Sequence, residues 1–299
     1  MRSAMLDGSG AGDEASRVSV AIAVPSLDQG RFLAKALDSV LGQTGVQLRV
    51  SVVDGGSRDE SLAVIGRYQS RLDYWRSFAD RGQAAAINEG IAKLPATDYA
   101  GWLNADDILL PGALSAMVAY LDAHPECVAV FAHANIIDES GRVLSQFPTR
   151  PFTRRAMART GIICQPASLI RRRAWEDVGG LDESLHMCLD YDLWWRVSKL
   201  GRIELLDDIL ACSRDHAATK TRGNQDRLYQ EAFPVLLRHL GYVPWRWCVS
   251  ETACAWRSGH GGERASGPRA LLTCAWRAAV RYARVNGLSR LVGAGRGSR

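Results

Sequence analysis

The chain has 299 residues, 47% hydrophobic and 23% charged, the balance of a soluble globular protein with ample length for a buried core. Its net charge of +5 is unevenly spread: from Trp245 onward there are ten Arg, two Glu and no Lys or Asp, so that end carries +8 and the rest is slightly acidic. No run of about 18 apolar residues occurs, which argues against a transmembrane helix, and the seven cysteines are scattered without a C-x-x-C pair, which argues against a disulfide framework or a zinc site.

Residues 1–17 are polar, lack the apolar stretch of a signal peptide, and read as a flexible leader. Residues 18–24 (VSVAIAV) have the pattern of a buried parallel strand. Turn chemistry follows in Pro25-Ser26-Leu27-Asp28-Gln29-Gly30. Phe32, Leu33, Ala36, Leu37, Val40 and Leu41 repeat at helical spacing and predict a helix over 32–41. A second strand over 48–53 ends at Asp54-Gly55-Gly56-Ser57, and a helix starts from Asp59. The turn Asp80-Arg81-Gly82-Gln83 precedes a helix over 84–91. A strand over 99–103 delivers Asn104-Ala105-Asp106-Asp107, and Pro111 is placed to open a helix running to residue 121. This alternation predicts a mainly parallel sheet flanked by helices, with ligands at the carboxyl ends of the strands.

Residues 128–132 and 165–170 then read as strands. Residues 190–200 read as a helix with Trp194, Val197 and Leu200 facing inward, and 203–206 as a short strand. Residues 211–225 are polar and predicted to be structureless, a length more typical of a functional lid than of a connector. A helix is expected over 228–240. Beyond it, residues 241–299 form a basic helical extension, with a helix from Pro268 to just before Gly287. In that helix Leu272, Trp276, Ala279, Val280 and Ala283 share one side and Arg277, Arg281 and Arg284 the other. Such a helix suits an anionic membrane surface or a packed position on the main domain. No specific nucleic-acid partner is expected, because no recognition module accompanies the basic tail.

The polar strand ends carry the chemistry. Adjacent carboxylates at 106 and 107 suit a hard divalent ion held together with substrate phosphates, although turn capping also explains such pairs. Asp54 before a Gly pair suits either a base-binding loop or a tight turn. Asp190 and Asp192 are two apart on a helix and cannot both face one site, so one is a candidate base and the other a cap or surface charge. His216, Lys220 and Arg222, with Thr219 and Thr221, suit a diphosphate.

In order along the chain, Val24-Pro25-Ser26-Leu27-Asp28-Gln29-Gly30, Val53-Asp54-Gly55-Gly56-Ser57, Asp80-Arg81-Gly82-Gln83, Ala86-Ile87-Asn88, Trp102-Leu103-Asn104-Ala105-Asp106-Asp107, Gly179-Gly180-Leu181-Asp182-Glu183-Ser184 and Asp190-Tyr191-Asp192-Leu193-Trp194 resemble the family 2 glycosyltransferases of the GT-A fold. The resemblance spans roughly residues 18–240. It implies an α/β GT-A domain there and inverting transfer from a nucleotide-diphosphate-sugar to an acceptor hydroxyl on a glycan or glycolipid, as in bacterial-type polysaccharide assembly. It implies Asp190 as catalytic base and Mg²⁺ or Mn²⁺ on Asp106 and Asp107. It places Pro25, Ser26, Asp28, Asp54, Asp80, Gln83, Asn104, His216 and Lys220 around the nucleotide sugar. Asn104 and Asp28 depart from the usual Asp and Asn, and Glu89 stands where Lys is common. The scattered cysteines read as reduced thiols of a cytoplasmic protein, and the basic tail helix leaves open peripheral attachment to the membrane. A non-catalytic sugar-nucleotide-binding subunit is the alternative, but it would be expected to lack the acids that this chain keeps. A dinucleotide oxidoreductase is disfavoured, since no G-x-G-x-x-G follows the first strand.

Overall fold

The structure, a computed structural model, describes residues 18–220, 224–260 and 264–287. The predicted leader over 1–17 and the candidates Thr221 and Arg222 lie outside those residues.

Val20 to Val24 are all buried in strand β1 (Ser19–Ser26), as a strand covered on both faces must be. β2 (Gln47–Asp54) pairs with it in parallel, and β3 (Tyr74–Ser77) pairs in parallel with β2. β4 (Tyr99–Trp102) runs parallel on the other side of β1. Five strands follow: β5 (Ile108–Leu109), β6 (Cys127–Ile137), β7 (Val143–Gln146), β8 (Ser168–Arg171) and β9 (Arg202–Arg214). The sheet order is β3-β2-β1-β4-β8-β6-β9-β5, with β7 beside β6. β8 is antiparallel to both neighbours, β6 and β9 are parallel, and β5 and β7 are antiparallel edge pieces. The sheet is therefore mixed, with its parallel half where the sequence places it.

Two helical layers cover it. Helices α1 (Gly30–Leu41), α2 (Ser61–Tyr68), α3 (Gln83–Lys93) and α4 (Ala113–Ala123) lie in the first half of the chain. Leu33, Leu37, Val64, Ile65, Leu114 and Met117 from α1, α2 and α4 pack against Val20, Ile22 and Val24. The opposite face is covered by α3 with α5 (Arg154–Arg159), α6 (Arg172–Asp177), α7 (Leu189–Val197) and α8 (Gln225–Leu240). α3 lies close on the sheet because Gly90 has no side chain: a Cβ there would stand 2.7 Å from Ser51 Oγ and 2.9 Å from Ala23 Cβ. Two more helices, α9 (Trp245–Gly259) and α10 (Pro268–Val285), pair with each other, and Val243 and Cys248 are buried in the second core.

Several expectations are corrected. β3 does not appear in the sequence pattern, because its four residues are too few to show a period and include a charged Arg76 that the fold buries. The strand expected over 203–206 runs to Arg214, so the region read as structureless begins later. Asp207 and Asp208 sit where the β6–β9 register jumps from Leu206 to Ile209 and are accommodated as a bulge. Residues 165–167 are a 3₁₀ turn ahead of β8. Leu200 is exposed, not inward, because α7 ends at Val197.

Candidate active site

The parallel strands end level with one another, Ser26 opposite Asp54 and Asp54 opposite Ser77. A cleft of about 990 Å³ opens above these ends. Pro25, Ser26, Asp80, Gln83 and Asn104 line it, together with Asp106, Asp107, Asp190 and Lys220. Three of the expected site residues, Asp28, Asp54 and His216, are not among the residues that line the cleft.

Asp54 is fully buried, and its carboxylate organises the turn after β2. Its Oδ2 accepts from the amides of Gly56 (3.1 Å) and Ser57 (2.9 Å) and from Ser77 Oγ (2.7 Å), while Oδ1 accepts from Ser57 Oγ (2.5 Å). The tight-turn reading thus describes this residue, and Gly55 is the part of the turn that faces the cleft. Asp28 links the first two loops: its amide donates to Ser57 Oγ (2.8 Å) and its Oδ1 accepts from the Arg58 amide (2.8 Å). Its φ of 51° lies in the left-handed region, which Asn and Asp tolerate better than other side chains.

Glu89, unusual by comparison with the resembled family, pairs with buried Arg76 through Nε (2.9 Å) and Nη2 (2.6 Å). Arg76 in turn donates to the carbonyls of Asp54 (2.9 Å) and Phe78 (2.7 Å). An acid at position 89 therefore holds the cation that ties the β2 and β3 ends together.

The two carboxylates after β4 face different ways. Asp107 is buried, and both its oxygens are engaged: Oδ1 accepts from the Arg214 amide (3.0 Å) and Oδ2 from Asn104 Nδ2 (2.9 Å). Burial and the neighbouring charge of Asp106 push its carboxyl above the ordinary range. Asp106 is more open, and its Oδ2 meets His216 Nε2 at 3.1 Å. His216 Nδ1 faces Arg31 Nη2 at 3.3 Å. A guanidinium can only donate, so Nδ1 accepts and Nε2 carries the proton given to Asp106. Asp106 Oδ1 has no hydrogen-bond partner among the described residues.

A chain of side-chain bonds links Lys220 to this turn. Lys220 Nζ donates to Gln83 Oε1 (2.8 Å), Gln83 Nε2 donates to Asn104 Oδ1 (2.8 Å), and Asn104 passes the contact to Asp107. Amide-for-carboxylate at 104 makes this chain workable, because an Asp could not donate to Asp107. Two members were not legible in the sequence. Gln165 donates to the Trp102 carbonyl (2.7 Å) and accepts from Asn104 (3.4 Å). Arg214 donates from Nε to the Asp106 carbonyl (2.9 Å) and from Nη1 to that of Asp138 (2.7 Å). Neither lies in a recognisable spacing; Gln165 is brought in by the 3₁₀ turn ahead of β8 and Arg214 by the end of β9, both from the second half of the chain.

Asp190 stands in the first turn of α7 and lines the cleft, half-buried. Desolvation raises its pKa, against a 2.7 Å bond from the Tyr191 amide and the charge of Lys220. Asp192 points the other way, as the spacing requires, but is neither a cap nor a surface charge. It is fully buried and meets Arg196 Nε (2.7 Å), His239 Nε2 (2.9 Å) and Arg238 Nη1 (3.3 Å). Glu231 on α8 fixes the approach to α7: its Oε2 accepts from the amides of His186 (2.9 Å), Met187 (2.6 Å) and Cys188 (3.1 Å). These amides would otherwise be orphan donors at a helix start. The Gly179-Gly180 turn is anchored to α3, with the Leu181 amide donating to Asn88 Oδ1 (2.9 Å). Gly180 has φ +68°, and a Cβ there would lie 2.6 Å from that oxygen.

The fold is of the GT-A type. Staphylococcus aureus TarS 1-349 in complex with UDP superposes with TM-score 0.59 at 16% identity, covering 80% of this chain and 71% of that one. The mannosyltransferase PcManGT from Pyrobaculum calidifontis, in complex with GDP-Man and Mn2+, gives 0.54 at 19% identity over 97% and 79%. The model of glycosyl transferase family 2 matches residues 21–179, over half of the chain, and the chain belongs to that family. Among curated relatives, an uncharacterized glycosyltransferase of Rickettsia prowazekii is 28% identical over 74% of this chain and 72% of its own length. The chondroitin synthase of Escherichia coli is 26% identical over 64% of this chain but only 28% of its own length.

Proposed function

We propose that the chain transfers a sugar from a nucleotide-diphosphate-sugar to an acceptor hydroxyl with inversion, in the assembly of a polysaccharide or glycolipid. The observation that carries this reading is Asp190, a desolvated carboxylate in the same cleft as Asp106 and the β1 and β4 strand ends. Donor chemistry is supported by the similar folds of TarS, also solved with UDP-GlcNAc, and of PcManGT with GDP-Man.

In this reading Asp190 takes the proton of the acceptor hydroxyl as its oxygen bonds to the anomeric carbon. The bond from that carbon to the diphosphate breaks, and its electron pair leaves with the nucleoside diphosphate. Pro25, Ser26 and Gly55 border the nucleotide, while Asp28 and Asp54 hold its loops. Asp80 and Gln83 face the ribose-diphosphate region and the sugar, and Lys220 approaches the phosphates. The residues fit a divalent metal: Asp106 offers one free carboxylate oxygen, its other being oriented by His216, which suits an ion that takes one protein carboxylate and substrate phosphates. Bound there, the ion would offset charge on the departing diphosphate. Asp107 is assigned to shaping the turn.

A base works only when ionised. Because the Asp190 pKa is raised, kcat is expected to fall as pH drops through a value above the usual Asp range of about 3.9. A pH–rate profile checks this, and a rate unchanged down to about pH 4 contradicts it.

The extension supports a second assignment, to an anionic membrane surface. No helix among the described residues is long and apolar enough to cross a membrane. On α10, Ala278 is buried, and Arg281 turns inward, paired with Glu251 (2.8 Å) and stacked on Phe233. Leu272 and Trp276 are left about 70% exposed (69% and 71%), with Leu271 beside them and Arg269 and Arg277 flanking. Apolar residues at such exposure, framed by cations, suit an interfacial helix. The full chain is expected to float with phosphatidylglycerol vesicles and a Leu272→Glu, Trp276→Glu variant to stay behind. Equal flotation removes the assignment.

A further inference from the structure

The cleft extends past Asp190 to a wall that the transfer chemistry does not use. This wall comes from the end of α5 and the start of α9, where Arg159, Thr160, Arg246, Trp247 and Ser250 line the cavity. α9 lies outside residues 21–179, which the family model matches.

The wall is built onto the proposed base. Trp247 Nε1 donates to the Ala158 carbonyl (2.9 Å), which fastens α9 to α5 directly before Arg159. The Trp247 ring centroid lies 5.7 Å from that of Tyr191, the residue after Asp190, and Tyr191 Oη donates to the Met157 carbonyl (2.7 Å). Tyr229 meets Trp247 edge-on at 6.3 Å. One aromatic assembly thus spans from Asp190 to the two arginines.

Those arginines are uncommitted. Neither Arg159 nor Arg246 has a hydrogen bond, ion pair or ring contact among the described residues. Their neighbour Arg154, by contrast, donates to the His239 carbonyl (3.2 Å) and stacks on Trp195. Among the described residues no carboxylate belongs to this wall: the cavity acids there are Asp80, Asp106, Asp107, Asp190 and Asp215, all from other segments. Two free guanidinium groups on a cleft wall, with an aromatic face alongside, form a receptor for an anion attached to a sugar.

We propose that this wall is the acceptor subsite and that the acceptor is anionic, with a carboxylate or phosphate group held by Arg159 and Arg246 and a sugar ring packed on Trp247. The proposal rests on Asp190 marking the reacting hydroxyl. A uronate within the glycan and a diphosphate joining a sugar to a lipid both supply the required charge.

The test is calorimetric titration of the full chain, wild type and Arg159→Gln, Arg246→Gln. The probes are a glucuronate-terminated disaccharide, a short-prenyl-diphosphate monosaccharide and a neutral disaccharide. The wild type is expected to bind at least one anionic probe, and the variant to bind it roughly tenfold more weakly or worse, as the loss of one charge-assisted bond requires. The tighter anionic probe names the source of the charge. No binding of either anionic probe, equal affinity in the variant, or equally tight binding of the neutral disaccharide overturns the proposal. UDP and GDP are titrated into the same samples: failure of both to bind, with the anionic probe still discriminated, strikes the donor assignment and leaves this subsite standing.

Discussion

Asp190→Asn is expected to lower sugar transfer by about 10²–10⁴-fold, the usual worth of a positioned general base, and to leave nucleotide affinity nearly unchanged. The substitution keeps shape and removes only the ability to take a proton. The residue lies on α7, a different element from the Pro25–Ser26 and Gly55 loops assigned to the nucleotide, though all line one cleft. Its bond from the Tyr191 amide is one an Asn oxygen can still accept, so the helix start is kept. Steady-state transfer rates and nucleotide titrations on the same preparation separate the two effects. Equal loss of both would assign Asp190 to donor binding or to folding.

Asp192→Ala is expected to destabilise the fold by about 3–5 kcal/mol, the cost of removing one member of a buried ionic cluster. Burial alone would raise the Asp192 pKa, but bonds from His239 and Arg196 outweigh it and hold the carboxyl below its usual range. Its contribution is therefore present above the unfolded-state pKa and lost as pH falls through the lower folded value. Without the carboxylate, Arg196 remains mostly buried while still bonded to the carbonyls of Val178 (2.7 Å) and Gly180 (2.6 Å). That tie connects α7 to the Gly-Gly turn and through Asn88 to α3, so the loss also loosens the element carrying Asp190. Arg238→Ala should cost about 1 kcal/mol or less, because that partner is half exposed. Denaturant unfolding of the two variants checks the contrast, and a loss below about 1 kcal/mol for Asp192→Ala contradicts the cluster's role.

The first half of the fold and the outline of the cleft are legible in the sequence for a physical reason. β1, β2 and β4 are apolar runs that stop at polar turns, and in a parallel sheet such stops become one surface. The two-residue spacing of Asp190 and Asp192 likewise separates a cleft-facing acid from its neighbour. Less legible is what a tertiary contact decides. Asp54 reads equally as a base-binding residue or as part of a tight turn, and it is the contacts from Ser57 and Ser77 that occupy its oxygens. Asp106 and Asp107 read as equivalent, yet an amide arriving from β9 turns one of them inward. β9 itself reads as short because Asp207 and Asp208 are poor strand formers, and pairing with β6 overrides them. The sequence puts Arg281 on the side of α10 opposite its apolar residues, yet Glu251 and Phe233 draw that arginine onto the domain.

The central claim is that Asp106 and Asp190 serve one metal-dependent transfer from a nucleotide sugar. The most direct measurement is release of nucleoside diphosphate from UDP-, GDP- and dTDP-sugars, with and without Mg²⁺ or Mn²⁺, by the wild type and by Asp106→Asn. The account predicts release from at least one donor, dependence on the metal, and a loss in Asp106→Asn that added metal does not restore. No release from any donor, or release that is indifferent to both metal and Asp106, would contradict it.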